Sequence, residues 1–114
     1  MAQPPDPRMT QTTQAVLRTL LDQPSKEQYG LEICAKAELP SGTIHPILAR
    51  LERLGWVESS WEEIDPHEQG RPRRRYYKLS PSGAERARIA LAKVTSTRAA
   101  LGRLRAGTAH GTTA

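Results

Sequence analysis

Two short stretches hold most of the side chains with chemistry to offer. GRPRRRYYKLSPSG at residues 70–83 crowds four arginines and a lysine around a pair of tyrosines, and SGTIHP at residues 41–46 gathers small, hydroxyl and imidazole groups. A guanidinium presents a planar fork of donors that matches the oxygens of an anion. Small residues where a helix opens let its free backbone N–H groups approach the same kind of ligand. Bond-making chemistry is not visible: there is no glycine loop to cradle a nucleotide and no nucleophile beside a base. The one cysteine, Cys34, excludes an intrachain disulfide, and His45, His67 and His110 are too scattered for zinc spacing. We expect no catalytic residue, no metal and no cofactor.

The elements that must position these stretches have limited material. The 114 residues allow one domain, and a 37% apolar fraction without phenylalanine implies a small core. Lysine and arginine outnumber aspartate and glutamate by 17 to 12, and the resulting +5 suits a polyanion partner. No apolar run approaches the roughly 18 residues of a membrane span, and the start MAQPPDPRMT lacks the apolar segment of a signal peptide. The expectation is a cytoplasmic protein with no membrane partner.

Residues 1–9, with three prolines, read as a loose arm, and residues 107–114 as a frayed end. Between them, Thr13, Val16, Leu17, Leu20 and Leu21 recur at helical spacing and predict a first helix from Thr10 to near Pro24. YGLEICAKAEL predicts a short second helix with Leu31, Cys34 and Ala35 on its core face. SGTIHPILARLERLGW carries the strongest stripe, Ile44, Ile47, Leu48, Leu51 and Leu54, ended by Gly55 as a left-handed cap. Pro46 falls in the opening turns of this third helix, where it removes at most about one backbone bond. Residues 56–64 and RRRYYKL alternate as two strands joined by the loop DPHEQGRP. Ser80 as N-cap and Pro81 at the first helical position open a last helix reaching about Ala106.

Three helices, a hairpin and a helix follow the order of a winged helix-turn-helix. The predicted fold is mostly α with a two-stranded β wing, a domain at 10–80 followed by a long dimerisation helix at 81–106. Along that last helix Ala87, Leu91, Val94, Leu101 and Leu104 keep to one side, as pairing with a second copy requires, although packing on the chain's own first helix would use the same stripe. This architecture presents the third helix and the wing to a duplex. The expected contacts with double-stranded DNA are therefore Ser41, Gly42, Thr43, His45, Pro46, Arg50, Arg71, Arg73 and Arg74.

The wing is not basic as a whole. Between Glu58 and Lys78 five acids (Glu58, Glu62, Glu63, Asp65, Glu68) face five bases (Arg71, Arg73, Arg74, Arg75, Lys78). Cross-strand ion pairing competes for Arg74 and Arg75. Gly70 and Pro72 put Arg71 and Arg73 at the loop, where a strand-paired acid is harder to supply. Tyr77 and Leu79 should face the core, with Arg74, Tyr76 and Lys78 on the other face. Trp56 and Trp61 would either line a pocket for a flat ligand or simply pack. An alternative function is a protein-interaction module, its arginines neutralised by their own acids. Its last helix, with six bases and no acid after Glu85, would then dock on an acidic partner.

GLEI at 30–33, SGTIHPILARLERLGW from Ser41 and GRPRRRYYKLSPSG from Gly70 together resemble the DNA-binding domain of PadR-like transcriptional regulators, from the first helix through the start of the last. The resemblance implies a homodimer that binds a palindromic operator, usually as a repressor, with the long final helix supplying much of the dimer contact. Family members often release DNA when a small hydrophobic ligand binds, so the resemblance adds an effector of that kind to the expected partners. Leu31 and His45 depart from the pattern, standing where the family commonly has tyrosines. The chain resembles the compact members, which lack an added helical domain.

Overall fold

The computed structural model describes residues 5–113, with side chains through Arg105. Helix α1 spans Gln11–Asp22 and opens on Thr10, whose hydroxyl accepts the Thr13 N–H at 3.2 Å. It buries Thr13, Gln14, Val16, Leu17 and Leu20. The arm before it has no regular structure yet is not loose where described. Pro7 is buried, Met9 packs on the core, and the Gln14 side-chain amide donates to the Met9 carbonyl at 2.7 Å.

Strand β1, Gln28–Tyr29, leads directly into α2, Gly30–Ala37. Leu31 and Ala35 were expected inside but are exposed, Leu31 at 71%, while Ile33 is fully buried and Cys34 half-buried. The register follows from the helix start: Tyr29 is held in the sheet, and its N–H donates to the Glu32 carboxylate at 3.3 Å. Counted from that fixed point, Ile33 turns inward.

Helix α3, Ser41–Arg53, buries Ile44, Leu48 and Leu51 and tolerates Pro46. Pro40 is its N-cap residue. Its end is a full left-handed stop: Gly55, at φ 80°, donates to Glu52 O, and Trp56 N–H reaches back to Leu51 O at 2.9 Å. That turn drops Trp56 into the core, 1% exposed. Burying side chains of this size contributes roughly 1.5–3 kcal/mol each.

The sheet has three antiparallel strands in the order β1-β3-β2, not two. Strand β2 (Val57–Trp61) pairs with β3 (Arg75–Leu79) along its whole length, and β1 adds Gln28 opposite Tyr77 and Tyr29 opposite Tyr76. A two-residue strand shows no alternation, so its pattern could not be read. The wing loop contains a one-turn helix, α4 (Pro66–Gln69), capped by Asp65 and ended by Gly70 at φ 67°. Tyr77 and Leu79 face the core as expected.

Helix α5 runs Pro81–Thr113, past the expected end at 106 and through most of the predicted frayed segment. Its start is tied to the end of α3. Ser80 Oγ accepts the Gly83 N–H at 2.9 Å and donates to Gly55 O at 2.7 Å, and Ser80 N–H donates to Trp56 O. A Cβ on Gly83 would lie 2.0 Å from Trp56 O, so only glycine permits this crossing. Beyond it Ala84, Ala87 and Ala90 pack into the core.

Candidate nucleic-acid interface

The opening turns of α3 stand in solvent. Ser41, Gly42, His45, Pro46 and Arg50 are exposed and Thr43 is half-buried. A Cβ on Gly42 would meet nothing within 4 Å, so the chain's own packing does not require a glycine there. His45 leans toward α2: a Cβ on Gly30 would lie 3.2 Å from His45 Cε1. His45 also borders a cleft of about 210 Å³ shared with Tyr29, Leu31 and Arg74, which joins the opening of α3 to the wing. The sequence offers Leu31 only as a core-face residue and a departure from the family pattern, and assigns Tyr29 no site role, because neither belongs to a basic run.

The wing arginines divide differently from expectation. Arg71, expected at the loop where a strand-paired acid is harder to supply, forms a two-pronged pair with Glu62, Nη1 to Oε1 at 2.7 Å and Nη2 to Oε2 at 3.0 Å. The acid comes from just past the end of β2, across the loop, not from the facing strand. The same carboxylate accepts the Arg74 backbone N–H at 3.2 Å and the Tyr76 hydroxyl at 3.4 Å. Chiefly through the Arg71 hydrogen bond, this environment holds the Glu62 carboxyl down to about 2, and the carboxylate in turn raises Arg71.

Arg75 is also engaged. Its guanidinium reaches Ser59 Oγ at 2.7 Å and Glu52 at 3.5 Å and lies 4.9 Å from the Trp61 ring centre. Its acid belongs to α3, not to the wing. Arg73 is exposed and, among the described residues, donates only its Nε, to Ile64 O at 3.0 Å. Arg74 carries no ion pair among the described residues; its guanidinium lies 4.4 Å over the Tyr29 ring, which meets Tyr76 edge-on. Trp56 is sealed in the core, whereas Trp61 is 57% exposed.

The expected dimer residues separate as well. Ala87 is fully buried in the chain's own core, and Leu91 packs partly against it. Val94 is half-buried, while Leu101 and Leu104 are 51% and 68% exposed. Ala87 therefore serves the monomer's own core, and Leu91 is partly taken up by it. Small alanines at 84, 87 and 90 let α5 approach the body closely.

Residues 16–89, which span α1 through the first turns of α5, match the PadR-like transcriptional regulator family. The chain belongs to this family. Membership makes it a DNA-binding transcriptional regulator and not a member of an enzyme family. Among solved structures it is similar to a PadR family transcription regulator from Clostridium difficile R20291, at 21% identity and TM-score 0.66, covering 83% of this chain and 98% of the other. It is also similar to a PadR-like transcription factor from Bacteroides fragilis, at 21% identity and TM-score 0.65, covering 82% and 89% of the two chains. A protein from Streptococcus mutans, smu.1704, matches at 28% identity and TM-score 0.57 over 75% of this chain and 80% of the other. No curated protein sequence matches. Among the described residues no helix is long and apolar enough to cross a membrane.

Proposed function

We propose that this PadR-like protein acts as a homodimeric repressor that sets two copies of α3 into successive major grooves of a palindromic operator, about 34 Å apart. Ser41, Gly42, Thr43, His45 and Pro46 would meet bases or phosphates at the opening of α3, with Arg50 on the backbone. Arg73 and Arg74 would add phosphate contacts from the wing. The observation that carries this reading is the exposure of the α3 opening beside two wing arginines, Arg73 and Arg74, that form no ion pair among the described residues. The dimer contact would fall on α5 beyond Ala90, through Val94, Leu101 and Leu104. A small hydrophobic effector would suit the groove of about 300 Å³ between Met9 and Val94, where it would bear on both the arm and α5.

The rival reading, a winged helix that binds only protein, gains from the internal pairing of Arg71 and Arg75. Arg73 and Arg74 weigh against it. The test is titration of duplex DNA over a range of salt, where log affinity falls by about 0.9 per neutralised phosphate against log salt. Arg73→Ala and Arg74→Ala should each lower that slope by about 0.9 per protomer. Weak binding that no variant alters would favour the interaction module.

A further inference from the structure

One carboxylate organises the wing. Glu62, with a side chain only 14% exposed, accepts from Arg71 in the loop and from Arg74 and Tyr76 at the start of β3. Its own N–H donates to Arg74 O at 2.8 Å. The contacts continue outward: Tyr76 meets the edge of Tyr29 with ring centres 6.1 Å apart, and Arg74 lies over Tyr29. Tyr29 is the N-cap residue of α2, beside the cleft that His45 borders. Glu62 is thus connected through two rings to the Arg74 guanidinium, which lies over Tyr29 beside that cleft.

We propose that Glu62 is a positioning residue for DNA binding, which uses Arg71 as its counterion to close the wing loop and hold Arg74 on Tyr29, so that Arg71 itself does not contact phosphate. This rests on the DNA-binding reading above. For Arg71 to turn its Glu62-facing N–H groups to a phosphate it would have to break two charge-assisted hydrogen bonds. That would leave the Glu62 carboxylate unpaired beside a second anion. Arg74 bears no such cost. A guanidinium over a ring keeps its in-plane N–H donors for an incoming oxygen.

The two roles predict opposite results for the full-length protein on a mixed-sequence duplex at low salt. If Glu62 positions the wing, Glu62→Ala and Arg71→Ala each weaken binding by roughly tenfold, and the double variant is no weaker than either single one. Arg74→Ala then lowers the salt slope by about 0.9 per protomer, and adding Arg71→Ala to it lowers the slope no further. If Arg71 instead contacts phosphate and Glu62 merely competes for it, Glu62→Ala tightens binding and Arg71→Ala lowers the slope further in the Arg74→Ala background; either result overturns the inference. Arg71→Gln, which keeps donors for Glu62 without the charge, guards against a variant that fails to fold and should recover part of the lost affinity. A wild-type protein that binds no duplex overturns the DNA-binding reading and this inference with it. Normal wild-type binding with additive losses in the double variant overturns this inference alone.

Discussion

Replacing Gly83 by alanine tests the joint between the wing and α5. The new Cβ would lie 2.0 Å from the Trp56 carbonyl oxygen and 2.6 Å from its carbonyl carbon and Cα, all backbone atoms. No side-chain rotation relieves that overlap, and the Trp56 peptide is held from both sides by Leu51 O and Ser80 N–H. Overpacking costs about 1–3 kcal/mol and more where backbone must move, against roughly 1 kcal/mol gained from alanine's helix propensity. Because the overlap is with backbone atoms, the cost should reach or exceed the top of that range, for a net loss of about 2 kcal/mol or more, out of a total near 5–15 kcal/mol. At roughly 4 °C or more per kcal/mol for a domain of this size, Tm should fall by about 10 °C or more. Gly102, in the same helix, has nothing within 4 Å of an added Cβ. Gly102→Ala should therefore stabilise by roughly 0.5–1 kcal/mol. Thermal and denaturant unfolding of both variants would decide it. If Gly83→Ala matched or exceeded the wild-type Tm, the close crossing of Gly83 over Trp56 would be refuted.

Ser80→Ala removes both the cap of α5 and the donor to Gly55 O, and denaturant unfolding should register a loss of about 1–2 kcal/mol. In α2, Ile33→Ala should cost about 2–5 kcal/mol, while Leu31→Ala, at an exposed position, should stay within about 0.5 kcal/mol. Because the folded-state Glu62 carboxyl sits at about 2, below its ordinary 4.5, its stabilising contribution is complete above that ordinary value and lost as pH falls from near 4.5 through about 2. Glu62→Gln should flatten the dependence of Tm on pH across that window, and an unchanged acid limb would contradict the assignment.

The helices were legible where their signals were local and strong. The α3 stripe with Gly55 behind it, the Ser80-Pro81 start and the inward pair Tyr77 and Leu79 all follow from period and cap chemistry. Strand β1 was not legible, because its two residues acquire their meaning only from the strand that pairs with them. The same omission misplaced Leu31, since pairing at Tyr29 fixes where α2 begins. Arg71 was misjudged for a related reason: its acid reaches it across a loop, and strand alternation says nothing about partners of that kind. The stripe on α5 was correct in period but ambiguous in partner, and Ala87 was claimed by the monomer's own core.

The central claim is specific recognition of a two-fold operator by a pair of α3 helices. Selecting, from fragments of the source genome, those that the purified protein retains at physiological salt tests it most directly. The account predicts enrichment of a palindrome whose half-sites lie about one helical turn apart, near 34 Å. Retention that is indifferent to sequence, or enrichment of sites without two-fold symmetry, would contradict it.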